Sequence, residues 1–294
     1  MSVFTGAAVA IVTPFKANGE VDYEQFYKNI EFQIANKTDA IVVCGTTGES
    51  STMSHEEHLD VIEACVKRVN GRVPVIAGTG SNSTAEAIHL STEAEKRGAD
   101  ALLLVSPYYN KSTQKGLFLH FKAIADQVKI PCILYNIPGR TGVNILPQTI
   151  VKLCTEVENI VGVKEATGDL AQTARLSHLA KGKVDIYCGD DIMTLPFMSI
   201  GALGVISVLS NIAPADVHDM CAKFTEGKVA EAMEMQLKAV PLTDALFSEV
   251  NPIPIKKAMS YMGMCDDVYR SPLCTMDETK AEALKEEMKA YGLL

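Results

Sequence analysis

DAIVVCGTTGESSTMSHEEHLDVIEACVKRVNGRVPVIAGTG, residues 39–80, reads as strand, loop, helix and strand in one stretch. DAIVVCG (39–45) and VPVIAGTG (73–80) are short, β-branched and nearly continuous in apolar residues. Strands covered on both faces need that pattern, whereas a half-exposed strand alternates. EEHLDVIEACVKRVNG (56–71) instead spaces its apolar residues by three and four, and it stops on a Gly just past a basic turn. A crossover of this length lets the second strand lie parallel to the first.

The unit recurs along the chain. Further apolar runs are AAVAIVTPF (7–15), ALLLVSP (101–107), PCILYN (131–136), IVGVKEA (160–166), VDIYCGD (184–190) and GVISV (204–208). YEQFYKNIEFQIANK (23–37) and TAEAIHLSTEAEKRG (84–98) carry the same helical periodicity. Eight strands spaced 20 to 34 residues start to start predict an α/β protein, a closed (β/α)₈ TIM barrel rather than an open doubly wound sheet.

After about residue 227 the strand pattern ends. KVAEAMEMQLKAV, ALFSEV and TMDETKAEALKEEMKAYG read as helices, the last with a capping box at Thr275–Glu278 and a stop at Gly292. NPIPIKK (251–257) reads as an extended, Pro-punctuated turn. The expected division is a catalytic barrel over 1–227 and a small all-helical domain over 228–294.

Composition excludes whole classes. The chain has 294 residues, 47% hydrophobic and 21% charged, which is a globular balance. Its net charge of −9 gives no general attraction to nucleic acid or anionic membranes. No apolar run reaches the roughly eighteen residues of a membrane span. The apolar stretch Val3–Phe15 has no Lys or Arg before it, unlike a signal peptide. Eight scattered Cys, mostly inside apolar runs and without a C-x-x-C pair, suit reduced thiols in a cytoplasmic protein.

In such barrels the chemistry sits on the loops after the strands. Those ends carry Gly45–Ser50 after the second strand, Tyr108 and Tyr109 after the fourth, and Tyr135 to Arg140 after the fifth. Lys164 lies within the sixth and Gly189-Asp190-Asp191 ends the seventh. A lysine inside an apolar strand is held where burial disfavours the charged amine, and a neutral amine can condense with a ketone to a Schiff base. Such chemistry moves protons, so Tyr135, Tyr109 and the Thr46 hydroxyl on one rim form a usable relay. Arg140 could fork onto a substrate carboxylate. The residues alone also allow a salt-bridged Lys164, packing tyrosines and a rim ion pair for Arg140.

Other motifs fail. Gly78-Thr79-Gly80 lacks the third Gly of a dinucleotide fingerprint, and residues 45–50 lack the Gly-Lys of a P-loop. His55 and His58 are three apart, not the four of a metalloprotease helix, and read as a solvated face. No metal, nucleotide or other cofactor is expected.

GTTGES, SPYYN, YNIPGRTG, VGVKEATGD and GDD…GVISV, in this order, resemble the class I pyruvate-dependent aldolase/lyase superfamily over essentially the whole chain. Within it, Thr46-Thr47 and Pro-Gly-Arg140-Thr are most similar to the dihydrodipicolinate synthases rather than the sialic acid lyases. The resemblance implies an imine between Lys164 and pyruvate, whose enamine attacks L-aspartate 4-semialdehyde on the diaminopimelate route to lysine. It makes Tyr135, Thr46 and Tyr109 the proton relay, with Tyr109 reaching in from a neighbouring subunit. Thr47 would hold the pyruvate carboxylate through its backbone N–H, Arg140 the semialdehyde, and Gly189 and Ile206 would line the pocket. It implies a homotetramer, a dimer of tight dimers. It also implies a site for L-lysine as inhibitor at Ser50, His55, His58, Asn82, Glu86 and Tyr108. A sibling aldolase acting on a sugar-derived aldehyde would keep Lys164 and Tyr135 without needing Arg140. A non-catalytic keto-acid-binding barrel has no reason to retain a buried amine.

Overall fold

The computed structural model describes residues 2–294. Eight parallel strands close into one barrel: β1 (Gly6–Ala10), β2 (Ala40–Val43), β3 (Val75–Gly78), β4 (Ala101–Val105), β5 (Cys132–Asn136), β6 (Ile160–Glu165), β7 (Asp185–Cys188) and β8 (Gly204–Ser207). Closure runs through β8 against β1, with Ala8 opposite Ile206.

Around the barrel lie α1 (Tyr23–Ala35), α2 (His55–Val69), α3 (Thr84–Lys96), α4 (Gln114–Ala125), the single turn α5 (Pro138–Thr141), α6 (Pro147–Glu156), α7 (Leu170–Ala180), α8 (Thr194–Met198) and α9 (Pro214–Thr225). Then follow α10 (Val229–Leu246), α11 (Ile253–Tyr261) and α12 (Glu278–Tyr291). Among the described residues no helix is long and apolar enough to cross a membrane.

The two-faced reading of the strands holds residue by residue. Val9, Ile41, Val43, Leu102, Leu104, Leu134 and Val163 pack outward in one cluster with the helices. Ala8, Ala10, Ala40, Val42, Ile76, Leu103, Ile133 and Ile206 form a second cluster inside the barrel. Alternation thus sorts two apolar sets instead of an apolar and a polar one. At its N-terminal end the interior is closed by Phe4 stacked on Tyr187 at 4.3 Å, with the Tyr187 hydroxyl donating to the Phe4 carbonyl at 3.0 Å.

The C-terminal helices depart from expectation in three places. Residues 251–257 are not extended, because Pro254 falls in the first turn of α11, where its missing N–H costs nothing. The segments read as separate helices around Pro241 are one helix, α10, ending at Leu246, and residues 247–250 leave it. Ala239, Leu242 and Leu246 are buried along α10, and that packing carries it through the proline. The cap of α12 is Asp277, not Thr275: its carboxylate accepts from the Lys280 N–H at 3.2 Å, which leaves Glu278 to begin the helix. The predicted stop at Gly292 stands, with φ of 101°.

Candidate active site

Lys164 sits near the C-terminal end of β6, opposite Tyr135 of β5 and Tyr187 of β7. It is 6% exposed, and its Nζ lies 4.5 Å from the centre of the Tyr135 ring. Among the described residues no carboxylate lies within ion-pair distance of it, although the Asp191 carboxyl feels its charge. Burial raises the Asp191 carboxyl above its ordinary range, while the Val208 and Leu209 N–H groups hold its Oδ2 at 2.9 and 3.1 Å.

Gly189 makes room for the lysine. A Cβ there would stand 3.0 Å from Lys164 Cε and 2.6 Å from the Ala166 methyl. Ile206, 1% exposed, lies in the same interior cluster as Tyr135 and Tyr187. The barrel is closed below by the Phe4–Tyr187 pair, so the amine is served from the loop end, where barrel enzymes build their sites.

After β2 the loop Gly45–Ser50 turns sharply. Gly48 is needed where a Cβ would meet the Ile11 carbonyl and Thr13 Oγ1, both at 3.2 Å, and Glu49 takes a left-handed conformation with φ of 54°. Thr46 is half-buried and Thr47 buried. Thr47 Oγ1 accepts from the Asn251 amide at 3.0 Å. Arg140 is exposed on α5, and its Nη2 donates to the Asn251 carbonyl at 3.1 Å. At the end of β6, Glu165 is fully buried, its carboxyl raised by desolvation and held by the Asn136 and Gln172 side-chain amides and the Thr167 N–H.

Tyr109 does not join this group. It is 92% exposed, in a left-handed conformation with φ of 69°, and leaves the barrel of its own chain. Of the other seven residues expected for catalysis and substrate holding, Lys164, Tyr135, Thr46, Thr47, Gly189 and Ile206 lie in the barrel or on its loops, and Arg140 is on its rim.

A cavity of about 170 Å³ is lined by Thr46 and Arg140 and also by Ser50, His58, Glu86 and Tyr108. His55 Nε2 meets Glu86 Oε1 at 2.8 Å, and the Asn82 amide donates to the Tyr108 carbonyl at 3.2 Å. All six residues named for the effector site are therefore gathered beside the loop of Thr46. Reading the histidines as a solvated face was half wrong: His55 is exposed, but His58 is buried. Its Nε2 donates to the Gly78 carbonyl at 2.7 Å, and burial holds it below the usual histidine range. A larger cavity, about 600 Å³, opens at the other end of the barrel beside Asp39 and His218 and contains none of these residues.

Sequence reading missed Asn251, Lys256 and Glu49. Lys256 Nζ and Glu49 Oε1 form an ion pair at 2.6 Å that is wholly buried, with the ammonium 4.4 Å from the Phe15 ring centre. The available signal was a lysine embedded in the apolar run IPIKKAM, obscured by reading the run as a turn.

Comparison with known proteins agrees with this geometry. A model of the dihydrodipicolinate synthetase family matches residues 3–291. The chain is 56% identical to the 4-hydroxy-tetrahydrodipicolinate synthase of Lachnoclostridium phytofermentans, over the full length of both. It superposes with TM-score 0.96 on the chloride-inhibited dihydrodipicolinate synthase of Acinetobacter baumannii complexed with pyruvate, at 46% identity and 99% coverage of each chain. It superposes with TM-score 0.97 on the lysine-bound enzyme of Cyanidioschyzon merolae, at 40% identity and full coverage of both chains.

Proposed function

The chain belongs to the dihydrodipicolinate synthetase family, and we propose that Lys164 is the amine on which it condenses pyruvate with L-aspartate 4-semialdehyde. The enzyme is a lyase, and its product is 4-hydroxy-tetrahydrodipicolinate, on the diaminopimelate route to lysine. The observation that carries the assignment is a lysine 6% exposed inside the barrel, without a carboxylate partner, beside a tyrosine ring.

Lys164 Nζ attacks C2 of pyruvate, and the carbonyl oxygen leaves as water to give the imine. Loss of a C3 proton makes the enamine, whose C3 attacks the aldehyde carbon while the aldehyde oxygen takes up a proton. The amine of the new chain then attacks the imine carbon, closes the ring and frees Lys164. Tyr135, Thr46 and Tyr109 shuttle these protons. Tyr109 does so for a neighbouring subunit of a homotetramer built as a dimer of tight dimers, a role its 92% exposure and left-handed backbone support. Thr47 holds the pyruvate carboxylate and Arg140 that of the semialdehyde.

L-Lysine is a feedback inhibitor bound by Ser50, His55, His58, Asn82, Glu86 and Tyr108. The support is that Ser50, His58, Glu86 and Tyr108 line a cavity shared with Thr46, that His55 and Asn82 hydrogen-bond to Glu86 and Tyr108, and that a relative of the same fold has lysine bound. Millimolar lysine lowers the initial rate at sub-saturating pyruvate, and an unchanged rate ends this assignment. Reduced thiols suit a cytoplasmic setting, six of the eight cysteines being buried and unpaired.

Pyruvate consumption with L-aspartate 4-semialdehyde, run beside N-acetylmannosamine and a sugar-acid aldehyde, tests the substrate. Turnover with a sugar aldehyde alone would overturn the reading. Arg140→Ala keeps the borohydride-trapped pyruvate adduct and lowers kcat/KM for the semialdehyde by about 10²-fold, the loss of one charge-assisted carboxylate contact. An adduct lost in Arg140→Ala would place the arginine on pyruvate instead.

A further inference from the structure

Asn251 touches both halves of the site from outside the barrel. Its side-chain amide donates to Thr47 Oγ1 at 3.0 Å, and its backbone carbonyl accepts from Arg140 Nη2 at 3.1 Å. Thr47 and Arg140 stand on different loops, after β2 and β5, and among the described residues no hydrogen bond joins the two loops directly. We propose that Asn251 is the positioning residue that turns the Thr47 hydroxyl towards the pyruvate carboxylate and sets pyruvate-holding Thr47 and semialdehyde-holding Arg140 relative to each other. This rests on the roles given above to Thr47 and Arg140.

Hydrogen-bond polarity supports the assignment. The amide N–H₂ can only donate, so Thr47 Oγ1 must accept and its own hydrogen is left for another acceptor. A carboxylate in the site is such an acceptor, and the hydroxyl then adds to what the Thr47 backbone N–H supplies. An acceptor at position 251 would take that hydrogen away from the substrate.

Stability does not explain an asparagine here. Asn251 is 7% exposed, and its Oδ1 is buried without a hydrogen-bond partner. An unsatisfied buried carbonyl is a cost that an apolar side chain of similar size avoids.

The surroundings hold Asn251 in place. Lys256, one turn into α11, is tied to Glu49 at 2.6 Å, and the Arg270 N–H donates to Glu49 Oε2 at 3.2 Å. The Arg270 guanidinium reaches the Glu57 carboxylate and the Gly19 and Thr52 carbonyls. Residues 251–270 thus grip the loop of Thr47 at two points, Glu49 and Thr47 itself.

The test is steady-state kinetics of the full-length enzyme with Asn251→Asp, Asn251→Ala, Thr47→Val and the Asn251→Ala/Thr47→Val pair. Asn251→Asp keeps the shape and the backbone carbonyl but can only accept. It raises KM for pyruvate about tenfold, the worth of one hydrogen bond to a charged group, with kcat within about twofold. Asn251→Ala frees the hydroxyl to rotate and raises the same KM about threefold. In the Thr47→Val background Asn251→Ala adds nothing, because the hydroxyl it acts through is gone.

A general packing role would show otherwise. An Asn251→Ala effect that adds in full to Thr47→Val, or that falls on kcat and thermal stability alone, overturns the proposal. So does a wild-type KM in Asn251→Asp. A wild-type KM for pyruvate in Thr47→Val overturns it too, because valine keeps the backbone N–H and loses only the hydroxyl, while turnover of the semialdehyde by wild type stands or fails independently.

Discussion

Two lysines of this chain are buried, and they differ in one respect that decides what each can do. Lys256, fully buried between α11 and the loop after β2, has a carboxylate at 2.6 Å and aromatic rings at 4.4 and 5.1 Å. Lys164, 6% exposed in the barrel, has an aromatic ring at 4.5 Å and no carboxylate at ion-pair distance among the described residues. Burial lowers the basicity of Lys256, and its Glu49 partner opposes that shift. A paired ammonium is committed to holding structure. An unpaired amine near the loop end of the barrel is free to react. Burial alone does not mark a catalytic lysine; burial without a partner does.

The strongest way to break that contrast is to exchange each lysine for methionine. Lys164→Met removes the nucleophile, so the borohydride-trapped pyruvate adduct disappears and kcat falls by at least about 10³-fold. Thermal stability stays or rises, since an uncompensated buried amine is replaced by an apolar chain of similar length. A large loss of stability in Lys164→Met would mean that this amine has a hidden structural partner. An adduct that persists would assign the chemistry to another amine.

Lys256→Met does the opposite. It leaves Glu49 buried and unpaired and costs about 3–5 kcal/mol in denaturant unfolding. Lys256→Met/Glu49→Gln restores most of that loss, because the glutamine carbonyl can still accept from the Arg270 N–H. A double variant as unstable as the single one would show that the pair contributes attraction rather than mutual compensation.

The same contrast explains what the sequence disclosed. The barrel was legible because strands buried on both faces are written as unbroken apolar runs, and Lys164 stood out as the one cation within such a run. Tyr135 and Thr46 followed from their places at strand ends, and Thr47 and Gly189 only from the family resemblance. Asn251 and Lys256 were hidden for two reasons. Their partners Thr47 and Glu49 are more than two hundred positions away in sequence. Pro254 also imitates a turn when it is in fact seated in the first turn of α11. Tyr109 was legible as a candidate from its place after β4, but it is 92% exposed and lies away from its own barrel.

A third buried base sharpens the rule by carrying it from amines to imidazoles. His120, on α4, is 7% exposed, shares a hydrogen bond of 2.9 Å between its Nδ1 and Thr84 Oγ1, and has no partner at Nε2. No carboxylate faces it, and burial alone lowers it to about 4. Its folded value is depressed below the unfolded one, so the neutral ring stabilises the fold above about pH 6.5, and that contribution fades as pH falls towards 4. His120→Phe keeps an aromatic ring but cannot take a proton. The stability of wild type relative to His120→Phe should therefore fall by about 3 kcal/mol between pH 7 and pH 4. Comparing the two proteins at each pH cancels the carboxyls Glu165 and Asp191, which burial raises and which therefore push the pH dependence the other way. Parallel curves would show that His120 finds an acceptor when it charges. In that case an unpaired buried base could recruit a partner on protonation, and the distinction drawn between Lys164 and Lys256 would have to be measured rather than read from their contacts.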